Sequence, residues 1–159
     1  MRKLQPKLTD IHVGDIVAQL NRQPRILLVD DEEDITEMFE TAFAVVGYEV
    51  VREKCTNAAG ARVLTAREAY DVIVSDFNNK EASGDYEGGM TLYRKLQRER
   101  VVPPLYVVIS GQDNLPIPQE VPFMRKPVGL YDLANRVTIE LRGRLAPVAG
   151  YTSQPAEAK

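Results

Sequence analysis

Ile26-Leu27-Leu28-Val29 runs into Asp30-Asp31, Val72-Ile73-Val74-Ser75 into Asp76, Leu105 to Ile109 into Ser110, and Pro122-Phe123-Met124-Arg125 into Lys126-Pro127. Short, continuous apolar runs are the pattern of parallel strands covered on both faces, where neither side meets water. If these runs are neighbouring parallel strands, their C-terminal ends lie along one edge of a single sheet, where open α/β folds place their ligands. Acids, a hydroxyl and a lysine that are distant in sequence then share one pocket.

The segments between the runs fit that arrangement. Ile35, Met38, Phe39, Ala42, Phe43 and Val46 recur at helical spacing and stop at Gly47, a helix with a glycine at its C-terminal cap. Tyr48 to Val51 predicts a second strand, and Asn57 a cap for a helix carrying Ala58, Ala61, Val63 and Leu64. Tyr70 to Ser75 predicts the third strand, Met90 to Arg100 a helix, Leu105 to Ile109 the fourth strand and Val121 to Arg125 a short fifth. A closing helix carries Leu130, Leu133, Ala134, Val137 and Leu141. Strand and helix in alternation imply right-handed crossovers and a parallel sheet. Residues 1–24 form an N-terminal extension whose Ile11, Ile16, Val17 and Leu20 suit a short helix packed on the domain. Residues 25–142 form the domain itself, and 143–159, with Pro147, Gly150 and Pro155, predict a flexible tail.

A chain of 159 residues, 44% hydrophobic, is long enough to bury one core and too short for two. Its net charge of −3 argues against direct nucleic-acid binding through phosphates. The lone Cys55 excludes a disulfide scaffold, and His12 lies outside the domain. No apolar stretch approaches the length of a signal peptide or a membrane span, so a cytoplasmic protein without membrane contact is the expectation.

Three carboxylates, Asp30, Asp31 and Asp76, against the ammonium of Lys126 leave a local charge of roughly −2, which a divalent cation would relieve. Hard oxygen donors with no His or Cys beside them favour Mg²⁺ over zinc. Such an ion would also neutralise an incoming phosphoryl group, whose remaining oxygens Lys126 and the Ser110 hydroxyl could hold. Asp76, ending the central strand, is then the natural nucleophile, and its product an acyl phosphate.

In residues and order, the set resembles the receiver domain of bacterial two-component response regulators over roughly Arg25 to Arg142. The elements that carry the resemblance are Leu27 to Glu33, Asp71 to Asp76, Val107 to Gly111 and Met124 to Pro127. It implies a CheY-like, flavodoxin-like (βα)5 fold, a doubly wound five-stranded parallel sheet of order 2-1-3-4-5. Asp76 would take its phosphoryl group from a sensor histidine kinase or a histidine phosphotransfer protein. Asp31, Asp76 and the backbone carbonyl of Asn78 would bind Mg²⁺, with Asp30 supporting the metal through water. Ser110 and Phe123 stand where the family has its switch residues. Gln112, two residues past Ser110, has the reach toward an attacking water to influence the lifetime of the acyl phosphate. The Lys126-Pro127 bond is often cis in that family. The implied role is regulatory rather than enzymatic, a stand-alone receiver that signals to a downstream protein by contact.

The chain departs from that pattern twice. The loop Phe77 to Gly89 is longer than usual and predicts a mobile lid beside the site. Pro116, Pro118 and Pro122 leave little room for a helix between Ser110 and Lys126, so the family's fourth helix is expected to be shortened or missing, and with it the common dimer surface. Two other classes stand beside the phosphoacceptor. One is a pseudo-receiver that signals without phosphate, which the complete acidic set argues against. The other is a small phosphohydrolase of haloacid-dehalogenase type, which wants an acid where this chain has Asn78.

Overall fold

Ile26, Leu27, Val72, Ile73, Leu105, Val107 and Val108 are wholly inaccessible to solvent, so the three strands they belong to are covered on both faces. The computed structural model describes residues 4–65, 69–78 and 88–157. Its strands are β1 (Arg25–Val29), β2 (Glu49–Glu53), β3 (Val72–Asp76), β4 (Leu105–Ser110) and β5 (Phe123–Arg125). All pair in parallel, in the order β2-β1-β3-β4-β5. This is the expected flavodoxin-like sheet, and its order reverses between β1 and β3, the switch point that opens a crevice at the C-terminal strand ends.

The helices are α1 (Gly14–Leu20), α2 (Glu33–Val46), α3 (Thr56–Thr65), α4 (Gly88–Arg98) and α5 (Leu130–Glu157). On one face α2, α5 and α1 cover Ile26, Leu28, Val72, Val74, Leu105 and Val107 with Phe39, Phe43, Leu133 and Val137. On the other, α3 and α4 cover Leu27, Val29, Ile73, Tyr106 and Val108 with Ala59, Val63, Met90, Leu92 and Leu96. Asn57, expected as a helix cap, lies one residue inside α3, which begins at Thr56. The expected helix Met90 to Arg100 begins two residues earlier and closes at Arg98. No helix occurs between Ser110 and Phe123, where the family's fourth helix would fall.

The N-terminal extension is built into the first core. Ile11, Val13 and Ile16 are buried with Phe43, Val46 and Leu141. Val13 also explains Gly47, whose φ of 125° suits glycine and where an added Cβ would come within 2.8 Å of the Val13 side chain. Polar bonds tie the same segment down: Arg22 donates to both carboxylate oxygens of Asp71, at 2.7 and 3.0 Å, and Arg142 pairs with Asp15 at 2.6 Å. At the far end, α5 has helical backbone through Gly143 and Pro147 to Glu157, within the stretch for which the sequence predicts a flexible tail. Arg142 and Arg144 hold its entry into that stretch, Arg144 by donating to the Glu120 carbonyl at 3.2 Å. Among the described residues no helix is long and apolar enough to cross a membrane.

Ile16 is 2% exposed, so Ile16→Ala should lower the unfolding free energy by about 2 to 4 kcal/mol. Urea denaturation reads this, and a change within error would detach the extension from the core.

Candidate functional site

Strand register assembles the site. Val29 lies opposite Ser75, Asp76 opposite Ile109 and Ser110 opposite Arg125, so the next residue along each strand reaches the same edge. Asp30 leaves β1 with its backbone N–H donating to the Glu53 carbonyl at 3.2 Å, and Lys126 leaves β5 with its N–H donating to the Ser110 carbonyl at 2.8 Å. The Lys126-Pro127 bond is cis.

The Lys126 ammonium stands among three carboxylates. It donates to Glu32 Oε1 at 3.0 Å and lies 3.5 Å from both Asp30 Oδ2 and Asp76 Oδ1. Asp30 Oδ1 accepts the Glu32 backbone N–H at 2.9 Å, whereas Oδ2 is buried with no hydrogen-bond partner. Its contact with Lys126 is an attraction of charges at a distance too long for a good hydrogen bond. Carboxylate oxygens of Asp30, Glu32 and Asp76 lie within 4.8 Å of one another. A buried carboxylate oxygen lacking a partner, inside a hard-oxygen set that one ammonium underneutralises, fits a divalent cation of the Mg²⁺ class.

The titration behaviour follows from this crowding. Burial first, and then the nearby Asp76 charge, push the Asp30 carboxyl up to about 6, against the pull of the Glu32 backbone N–H and Lys126. Burial likewise raises Asp76, opposed by Lys126 and the Asn78 backbone N–H and reinforced by the Asp31 charge. Burial alone would depress Lys126, but Glu32, Asp76 and Asp30 outweigh it and the ammonium is held above its ordinary value.

Ser110 is fully buried, and its Oγ accepts the Gln112 backbone N–H at 3.1 Å and Asn78 Nδ2 at 3.3 Å. Neither bond uses the hydroxyl hydrogen. The structure therefore gathers Asp30, Asp76, Asn78, Ser110 and Lys126. Asp31 is exposed at the rim, near enough for its charge to act on Asp76. Phe123 is half-buried against the α3–α4 core and lines a groove of about 280 Å³ with Leu115, Ile117, Pro118 and Val121. The participant that sequence reading missed is Glu32, which falls within the Leu27 to Glu33 element but has no role assigned from the sequence. Its position directly after Asp30-Asp31 was the available signal.

Gly89 joins the site to α4. An added Cβ there would lie 2.6 Å from the Asp76 carbonyl oxygen, so the start of α4 presses on the backbone of Asp76 and Phe77. Most of the long loop expected as a lid, residues 79–87, lies outside the described residues.

No family model and no curated protein matches the chain. Solved structures do. A response regulator receiver protein from Sinorhizobium medicae is 25% identical with a TM-score of 0.64, over 77% of this chain and 97% of that one. A CheY-like receiver domain protein from Methanospirillum hungatei is 22% identical with a TM-score of 0.65, over 77% and 96%. The receiver domain of a hybrid histidine kinase is 26% identical with a TM-score of 0.56, over 74% and 98%.

In the unfolded chain the Asp30 carboxyl titrates near 3.8 and in the fold at about 6, so folding favours its protonated form. That contribution is complete below the unfolded value and is lost as pH rises through the folded one. Asp30→Asn imitates the protonated acid. After allowance for partial solvent screening it should raise stability near pH 7 by roughly 1 to 2 kcal/mol, with the gain vanishing below about pH 4. Thermal melts across that range without divalent cations check this; a less stable variant at neutral pH would refute it.

Proposed function

We propose, for a chain with the fold of response regulator receiver domains, that Asp76 is a phosphoacceptor and that the protein is a regulatory module rather than an enzyme. The observation that carries the reading is the buried Asp76 carboxylate at a strand end, 3.5 Å from the Lys126 ammonium and beside the unpartnered oxygen of Asp30. Buried acids that one ammonium underneutralises suit a divalent cation, and the cation and Lys126 together would neutralise an incoming phosphoryl group.

The donor is a phosphohistidine on a sensor histidine kinase or a histidine phosphotransfer protein, the partner class that the receiver resemblance implies. One carboxylate oxygen of Asp76 attacks phosphorus, the P–N bond breaks with its electron pair remaining on the imidazole, and a mixed anhydride forms. Lys126 and the unused hydroxyl hydrogen of Ser110 take the phosphoryl oxygens. Asp31, Asp76 and the Asn78 carbonyl, with Asp30 through water, would hold a Mg²⁺ ion, which when bound offsets the charge of the acids and the phosphoryl group. Water later attacks phosphorus, the P–O bond to Asp76 breaks, and inorganic phosphate leaves with the carboxylate restored. The donor must approach across the mouth of the site, where Ile35, Met38, Phe39, Pro127 and Val128 form a mainly apolar cleft beside Lys126 and Glu32. Asn78 donates its side-chain amide to Ser110 and has no carboxylate to serve as the second acid of a phosphohydrolase, which favours the regulatory reading.

Intact mass after incubation with acetyl phosphate should give a single Mg²⁺-dependent phosphoryl adduct that is lost in Asp76→Asn. No adduct under any condition would move the reading to a phosphate-independent interaction module.

The output should run through residues 112–121. With no helix there and Phe123 beneath it, this segment packs on the core through Leu115, Ile117 and Val121 and is tied at its two ends by Arg125 to Asp113 and Arg144 to the Glu120 carbonyl. Phosphorylation should change its hydrogen exchange by severalfold, and identical exchange in the two states would exclude it as the reporting surface.

A further inference from the structure

We infer that Glu32 is a positioning residue that withholds Lys126 from the phosphoryl group and so sets how readily Asp76 becomes and stays phosphorylated. The inference rests on the phosphoacceptor reading and deepens it. Its first support is the ranking of distances around one ammonium. Lys126 Nζ makes its hydrogen bond to Glu32 Oε1 at 3.0 Å and stands 3.5 Å from each of the two buried carboxylates. Asp76 and Asp30 lie deeper and are strongly desolvated, yet the ammonium's one good bond goes to the exposed acid at the mouth.

The second support is Asp30 Oδ2, a buried oxygen facing Lys126 that receives no hydrogen bond. Were Lys126 free to settle by charge alone, it would approach that oxygen. Glu32 has the reach to prevent this because it is the extended residue just before α2, with its backbone N–H tied to Asp30 Oδ1 at 2.9 Å. A short tether from Asp30 thus carries an acid that pulls the lysine outward.

Phosphorylation asks for the opposite arrangement. When an Asp76 oxygen bonds to phosphorus and the bond to the donor breaks, two or three anionic oxygens stand where Lys126 should pair with them. To do so Lys126 must leave Glu32, which is then an unpaired carboxylate facing a phosphoryl group of like charge. Glu32 therefore favours the unphosphorylated state twice, through the bond that is lost and the repulsion that is gained. Glu33, the next acid, pairs instead with Lys54 at 3.4 Å, and takes no part.

Beryllofluoride with Mg²⁺ imitates the acyl phosphate at equilibrium, and its affinity reads the balance without turnover. Glu32→Gln should bind it roughly fivefold more tightly than the wild type, and acetyl phosphate should leave an adduct that hydrolyses more slowly by a similar factor. Glu32→Asp keeps the charge but falls short of the ammonium, so it should tighten binding too, and Glu33→Gln should stay within twofold of the wild type. Equal affinity of wild type and Glu32→Gln would overturn the inference and leave the phosphoacceptor reading standing. So would a Glu32→Asp protein that behaves as wild type, since repulsion alone would then explain the effect. Failure of every form, wild type included, to bind beryllofluoride or accept phosphate would defeat the phosphoacceptor reading and this inference with it.

Discussion

The ammonium of Lys126 is the contact on which the functional edge of this molecule depends. Four strand ends converge there, and parallel register brings Asp30 and Asp76 side by side with no freedom to separate. Each of those acids is raised by burial, and each would repel the other. A single lysine from beyond the fifth strand, turning through a cis bond to Pro127, sits among three of the carboxylates. The sheet is thereby closed electrostatically as well as by hydrogen bonds, although the acids still outnumber their cation. That residual negative charge is what a divalent cation would offset.

Beneath this edge the sheet is covered on both faces. Two apolar layers cover the sheet, and the one under α2 and α5 is thickened by Ile11, Val13 and Ile16 from the N-terminal extension. At the opposite end of the strands from the site, buried Asp71 gathers Arg22 side-chain bonds and the Arg25 backbone N–H, which fixes the start of β1 against the start of β3. An edge that concentrates like charge needs its supporting strands held from the other end, because any slip in register would move every functional side chain together.

The connection from β4 to β5 is where this chain differs most from the pattern it resembles. Proline cannot supply the amide that a helix interior requires, and three prolines fall within this short stretch. What remains is an irregular segment with Leu115, Ile117 and Val121 laid over the α3–α4 core and Phe123 lining the groove below. With no helix between Ser110 and Phe123, no helix displacement can couple Ser110 to this side of the sheet.

Read alone, the sequence determined the strand count, the parallel alternation, the missing helix and the residues at the four strand ends. These are local matters: short unbroken apolar runs bounded by polar residues fit buried strands, closely spaced prolines disfavour a helix interior, and a polar residue directly after such a run emerges at its end. Boundaries were less legible, as with Asn57 falling inside α3 and α5 continuing past Gly143, because a helix end depends on which neighbours hold its last turn. The particular contacts of the extension, and the part played by Glu32, were decided only by tertiary structure. Val13 reads as an ordinary apolar residue until it meets Gly47, and Glu32 as an ordinary helix-start acid until it meets Lys126, ninety-four positions away. Periodicity states which face of an element is apolar, but the identity of a charge's partner is set by distances across the fold, which no local pattern contains.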